Sequence, residues 1–215
     1  MKIGTIPSFV VVLGIACCQA QAQINDLSDR QTAQFQQMLL ADAARAEQTK
    51  RAIAEVEPYL CRTKDGYLAL SLDAPVDFMS KDAQALAEAS LAQVNAMVES
   101  GEYTLTKHLT LEPINGGGYQ TFANGNWLRT VSWWGYEAGI DTWRVQTLKQ
   151  WMRDITRITR YLRNFGYGAV VHYLAQFVKV YATYMDWVDG NGGRRGVVLT
   201  ATWANAFLPW CTAQR

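Results

Sequence analysis

Two carboxylates, Glu137 and Asp141, are the residues whose type and spacing best suit catalysis. They stand four residues apart beside a group of aromatic residues. Such a pair can hydrolyse glycosides, because apolar surroundings keep one carboxyl protonated while the other stays ionised. Glu137 would then be the general acid, and Asp141 the base or the stabilising group. The alternative is structural: Asp141 caps a helix and Glu137 complements its positive end.

Other catalytic chemistry has little support in the sequence. The two histidines, His108 and His172, lie far apart, whereas zinc sites draw on closely spaced His or Cys. The Gly-x-Ser-x-Gly motif of a serine hydrolase does not occur. The glycines at 116–118 lack the Lys-Ser/Thr pair of a phosphate-binding loop. We therefore expect no metal and no cofactor, and we favour a protein that is not an enzyme.

A strongly amphipathic basic helix is predicted over residues 139–168, and it is the main candidate for a binding surface. At 100° per residue, one side is apolar and predicts packing on a core: Leu148, Trp151, Ile155, Ile158, Leu162 and Phe165. The other side carries a row of cations: Lys149, Arg153, Arg157, Arg160 and Arg163.

The partner of this helix stays open at the level of sequence. The cationic side suits an anionic protein or an anionic component of the cell envelope. The same pattern is typical of a helix that lies on a membrane surface, as in a membrane-active toxin. Arginines could also contact nucleic acid phosphates, although predicted export disfavours that partner.

Aromatic residues concentrate just before the basic helix. Exposed tryptophans there could stack on sugars or anchor a protein partner, although such residues more often form core. Adjacent residues of a strand point to opposite faces, so Trp133 and Trp134 cannot both point inward. We therefore include Trp133 and Trp134 in the predicted binding surface.

Residues 1–22 have the pattern of a secretory signal peptide. Lys2 supplies the positive end, an apolar run follows, and Ala20-Gln21-Ala22 offers a cleavage site. The apolar run is shorter than the ~20 residues that span a bilayer. Cleavage after Ala22 predicts a secreted or periplasmic protein. Cleavage after Ala20, acylation at Cys17 or Cys18, and a retained anchor are the alternatives.

Residues 23–215 are predicted to form a single mature α+β domain. Its two cysteines, Cys61 and Cys211, would form one disulfide in an oxidising compartment. Two buried free thiols are the alternative. Such a disulfide would join the last segment of the chain to the first third.

The element pattern predicts two N-terminal helices, a small antiparallel sheet with a hairpin, two C-terminal amphipathic helices and a closing strand. The helices are expected over residues 28–57, 80–100, 139–168 and 169–188, the last with a strand as alternative. Strands are expected over 67–72, 103–111 and 197–207. The hairpin would join residues 119–122 to 127–134 around Asn124-Gly125.

Charge is unevenly distributed along the chain. Residues 23–139 contain 9 basic and 15 acidic side chains, whereas residues 140–215 contain 10 basic and 4 acidic ones. Either the two halves attract each other, or the basic half meets an anionic partner. The second interpretation, together with the incomplete catalytic groups, predicts an exported, non-catalytic binding protein. A glycan-active hydrolase and a membrane-active toxin are the alternatives.

Overall fold

The computed structural model describes residues 9–114, 127–164, 170–206 and 209–214, with side chains from residue 28 onward except those of 127–130. The chain divides into two units, residues 1–40 and residues 41–215. Helices and small antiparallel sheets are both present in the described ranges, which confirms the α+β class.

Five α-helices lie in the described part of the chain: α1 (Phe9–Val56), α2 (Lys81–Glu99), α3 (Thr142–Gln150), α4 (Ile155–Asn164) and α5 (Val171–Asn191). The predicted start at Ser28 is wrong, because α1 is already helical from Phe9. Its end is as predicted, since a short 3-10 turn containing Pro58 follows. The Ser80 hydroxyl caps α2 by accepting from the Ala83 N–H at 3.3 Å.

Eight strands form three antiparallel sheets within the described residues: β1 (Leu60–Arg62), β2 (Leu68–Leu70), β3 (Tyr103–Leu105), β4 (Leu111–Pro113), β5 (Trp127–Ser132), β6 (Gly135–Ile140), β7 (Val197–Thr202) and β8 (Trp210–Ala213). The single strand expected over 103–111 is instead a hairpin of β3 and β4. Leu109 turns the chain with φ 57°, and the Thr106 and Thr110 hydroxyls bond at 2.7 Å.

The main sheet has the strand order β5-β6-β7-β8. Gly135 begins β6 where a Cβ atom would lie 1.9 Å from the Ala201 carbonyl oxygen, so only glycine fits. β7 is central, and five of its six residues are buried. Because successive strand residues face opposite ways, both faces of β7 are shielded from water. The turn predicted at Asn124-Gly125 lies outside the described residues.

The predicted basic helix is two helices preceded by a strand. Gly139 and Ile140 belong to β6, where they pair with Val198 and Val197. α3 ends at Gln150, and α4 begins at Ile155. Asp154 separates them because its carboxylate accepts the Arg157 N–H at 2.9 Å, as a helix N-cap does. The predicted helix end at 166–168 lies outside the described residues.

Helix α5 forms the core of residues 41–215. It is helical as predicted, which excludes the alternative strand. Ten of its residues are buried, and α3 and α4 both pack against it. Tyr173 of α5 stacks on Tyr136 of β6, with ring centroids 6.3 Å apart. The apolar residues Leu148, Ile158 and Leu162 are fully buried, as the amphipathic pattern predicted.

The predicted disulfide between Cys61 and Cys211 is not formed, and both thiols are free. Cys61 lies exposed on β1, where its thiol donates to the Ala69 carbonyl oxygen at 3.6 Å. Cys211 is fully buried on β8. The sequence could not show that Cys211 is in the core and that Cys61 is on the surface.

A buried carboxylate, Asp42, joins three elements that are distant in sequence. One oxygen, Oδ2, accepts the Tyr184 hydroxyl of α5 and the Cys211 N–H of β8, both at 2.9 Å. The Arg45 guanidinium lies 3.4 Å from Oδ1. Burial raises the pKa of the Asp42 carboxyl, although these hydrogen bonds and Arg45 act in the opposite direction.

The two thiols should differ sharply in reactivity. Cys61 should react rapidly with a thiol reagent in the native protein, whereas Cys211 should react only on unfolding, since burial also raises the pKa of its thiol. Thiol titration of the native Cys61→Ser variant, with Cys17 and Cys18 also replaced by serine, measures Cys211 alone. The variant that keeps both Cys61 and Cys211 is then unfolded without reductant. If it shows no reactive thiol, the disulfide exists.

Asp42 should make stability depend on pH in a defined direction. Its folded pKa lies above the unfolded value, so its contribution is fully present below the unfolded pKa and is lost as pH rises through the folded pKa. The free energy of unfolding of the wild type, relative to Asp42→Asn, should therefore fall as pH rises above the ordinary aspartate range. Urea unfolding of both proteins across pH measures this, and a difference that stays constant would contradict the assignment.

Candidate functional site

Four arginines form an exposed group at the start of α4 and along it: Arg153, Arg157, Arg160 and Arg163, called the arginine face below. The last three are spaced by three residues, so neighbouring guanidinium groups lie on adjacent turns of one side of the helix. The opposite side of α4 carries Ile158 and Leu162, which are buried in the core. The apolar contacts of the helix therefore hold the cations outward.

The arginine face is poorly neutralised within the described chain. Arg157 has an ion pair with Asp154 at 3.7 Å, and both side chains are more than half exposed. No ion pair occurs for Arg153, Arg160 or Arg163 within 4.0 Å among the residues that the structure describes. Like charges at this spacing destabilise a helix by a few tenths of a kcal/mol per pair.

The other residues predicted for binding lie elsewhere. Lys149 is on α3, where its ammonium pairs with the Asp186 carboxylate at 2.6 Å. Trp133 is 2% exposed and cannot present a binding surface, and Trp134 is half-buried. The tryptophan that adjoins the arginine face is Trp151. The Arg157 guanidinium lies 5.3 Å from its ring centroid, and Tyr161 packs edge-on against it at 5.0 Å.

The carboxylates proposed for catalysis have different surroundings. Glu137 is half-buried in the middle of β6, opposite Thr130 and Thr200. Asp141 caps α3, with Oδ1 accepting the Arg144 N–H at 2.7 Å and Oδ2 paired with the Arg144 guanidinium. Four extended residues separate their Cα atoms by roughly 13 Å. Asp141 lines a cavity whose lining does not include Glu137.

That cavity lies between the start of α3 and the loop that connects α5 to β7, and it is called the corner pocket below. Its volume is about 440 Å³. It is lined by Asp141, Thr142, Trp143, Arg144, Arg194 and Arg195. The Trp143 side chain is 64% exposed, and the Arg144 guanidinium lies 5.9 Å from its ring centroid.

Two carboxylates at the end of α5 hold one wall of the corner pocket. Asp189 is fully buried, and its Oδ1 accepts the Thr142 hydroxyl at 3.0 Å and the Gly196 N–H at 2.7 Å. Arg194 contacts Asp189 at 3.5 Å and Asp186 at 2.6 Å. Burial by itself raises the pKa of the Asp186 carboxyl, but hydrogen bonds from Lys149 and Arg194 outweigh it and lower the pKa below its ordinary value.

A second, smaller cavity of about 210 Å³ lies where the end of α1, the start of α2 and the segment after β7 meet. Arg45, Gln48, Thr49 and Asn205 are among its polar lining residues. The Gln48 side-chain amide donates to the Asp82 carboxylate at 2.5 Å across this cavity wall. Its two charged lining residues already have partners, because Arg45 pairs with Asp42 and Asp82 accepts from Gln48, so it offers less for a ligand than the corner pocket.

The histidines are not placed for metal binding in the described ranges, where no group of three or more His, Cys, Asp or Glu residues converges. His172 is exposed on α5, and His108 is exposed in the β3–β4 turn. Among the described residues, none of the helices combines the length and the apolarity that crossing a bilayer requires. These findings leave the arginine face and the corner pocket as the two candidate sites.

No protein-family model matches the chain, and comparison with curated proteins and with solved structures gave no match. Function must therefore be inferred from the two sites themselves. The sequence did not predict the corner pocket, because Arg194 and Arg195 lie more than fifty residues from Trp143, between the helix expected over 169–188 and the strand expected over 197–207. The signal for it was Arg194-Arg195 directly after Gly192-Gly193.

Asp189 should be required for stability well beyond an ordinary surface carboxylate. Asp189→Ala leaves the Thr142 hydroxyl and the Gly196 N–H without their acceptor, which should lower the free energy of unfolding by about 2–4 kcal/mol. The control is Asp154→Ala, which removes an exposed helix cap and should cost about 1 kcal/mol. Urea unfolding compares the two, and an equal cost would refute this role of Asp189.

Proposed function

We propose that this chain is an exported, non-catalytic protein that binds an anionic partner through the arginine face. The observation that carries the proposal is the set of exposed guanidinium groups at 153, 160 and 163, which have no ion pair in the described chain. An external anion would offset the repulsion between them. Arginine also forms paired hydrogen bonds to carboxylate, phosphate and sulfate groups, which favours such a partner.

The local ion pairs support an external partner rather than attraction between the halves of the chain. All four acidic residues of 140–215 already have basic partners within that same half: Asp141, Asp154, Asp186 and Asp189. They use Arg144, Lys149, Arg157 and Arg194. The described basic residues of this half that have no ion pair in the described chain are therefore Arg153, Arg160, Arg163, Lys179 and Arg195, and three of these five belong to the arginine face.

Trp151 gives the arginine face an aromatic contact point, in place of the Trp133 and Trp134 expected from the sequence. Its ring is half-buried between Arg157 and Tyr161. A half-buried indole beside a guanidinium suits a partner that presents both anionic and apolar groups. We expect Trp151 to contribute to affinity and the arginines to contribute to both affinity and the rate of association.

The arginine face should dominate binding to anionic surfaces. The probes are vesicles of phosphatidylglycerol with phosphatidylcholine, and an immobilised sulfated polysaccharide. Each basic residue near an anionic surface contributes about 1 kcal/mol, so Arg153→Glu, Arg157→Glu and Arg160→Glu together should weaken binding at least a hundredfold. Sedimentation with vesicles and elution by salt measure the effect.

A charge-matched variant controls for net charge. Arg51, Lys64 and Lys107 are exposed outside the basic half, and their combined change to glutamate makes the same total change. This control should retain at least most of the wild-type binding. Equal loss in both variants would show that only net charge matters, and an unchanged triple-arginine variant would eliminate the proposal. Dye release from the vesicles at low salt would instead favour the toxin alternative.

A further inference from the structure

We propose that the corner pocket is a binding site for a carboxylated sugar, separate from the arginine face. A volume of about 440 Å³ lies within the range of small-molecule sites. The lining combines cations, an exposed indole and polar oxygen acceptors. The binding residues predicted from the sequence did not include Trp143, Arg194 or Arg195.

The cation available to a ligand is Arg195. It is exposed and has no hydrogen bond or ion pair among the described residues. Arg194, beside it, is fixed by Asp186 and Asp189, and Arg144 is fixed by Asp141. Two guanidinium groups are therefore held in place around the pocket, while Arg195 can close on an anion. A guanidinium matches the planar carboxylate group with two parallel hydrogen bonds.

Trp143 supplies a surface for a ring. Its side chain is 64% exposed although it lies in the first turn of a helix whose next two residues are buried. The Asp141 cap fixes the backbone of this turn, which places Trp143 at the edge of the pocket. A flat aromatic face at the edge of a polar pocket can stack on the apolar face of a pyranose.

Acceptors in the lining distinguish a sugar acid from other anions. Asp141 and Thr142 place a carboxylate and a hydroxyl in the same pocket as the arginines. Sugar hydroxyl groups can donate to both, because a carboxylate and a hydroxyl each accept hydrogen bonds. Inorganic phosphate, by contrast, has no ring that could stack on Trp143. A ligand with one carboxylate, several hydroxyls and a ring satisfies all the groups present.

Isothermal titration with glucuronic acid tests this assignment, with glucose, acetate and inorganic phosphate as comparison ligands. Glucuronic acid should bind at least about tenfold more tightly than each of the others, because only it has both the carboxylate and the ring. Trp143→Ala and Arg195→Ala should each weaken its binding about tenfold or more. Both side chains are exposed, so circular dichroism should show an unchanged fold.

The control is Arg163→Ala, which changes the arginine face and should leave glucuronic acid binding unchanged. Conversely, Arg195→Ala should leave most vesicle binding intact. The two variants therefore distinguish failure of the pocket proposal from failure of the arginine-face proposal. The assignment is overturned by no measurable binding of glucuronic acid, by binding that both pocket variants retain, or by phosphate or glucose binding as tightly.

Discussion

Burial of α5 is the constraint on which residues 41–215 depend. The helix contributes ten buried residues, and each large apolar side chain removed from water stabilises the fold by about 1.5–3 kcal/mol. Helix α5 lies against both α3 and α4 and covers their apolar sides. That coverage decides which side of α4 faces water. The arginine face is thus a consequence of core packing as well as of charge.

Buried carboxylates determine how the ends of this core are joined. Asp42 connects α1 to α5 and β8, and Asp189 connects α5 to the start of α3 and to the loop before β7. A buried carboxylate is costly unless hydrogen bonds satisfy it, so each of these groups tolerates few arrangements of its neighbours. Asp189 fixes the loop that carries Arg194 and Arg195. The position of the corner pocket is therefore set by a group that does not line it.

The sequence could predict elements whose pattern is local. Residue spacing alone predicts the cap and the end of α2, the helical nature of α5, and the burial of Leu148, Ile158 and Leu162. Prediction from the sequence failed where two patterns overlap. Asp154 lies within a continuous amphipathic pattern, yet its side chain caps a new helix. Helical periodicity alone cannot show that a side chain competes with the backbone for a hydrogen bond. Likewise, alternation over 103–111 could not show that Leu109 adopts a left-handed turn.

The function was harder to predict from the sequence, because it depends on which charged side chains already have a partner of opposite charge. Ten basic residues in the last third of the chain look equivalent by composition. The structure separates Lys149, Arg144 and Arg194, which are held by carboxylates, from Arg160, Arg163 and Arg195, which have no ion pair in the described residues. A paired guanidinium orients its surroundings, whereas an unpaired one is available to a ligand. This division, rather than net charge, is the basis of both proposed sites: an extended row suited to a polyanionic surface, and a pocket suited to a single acidic group.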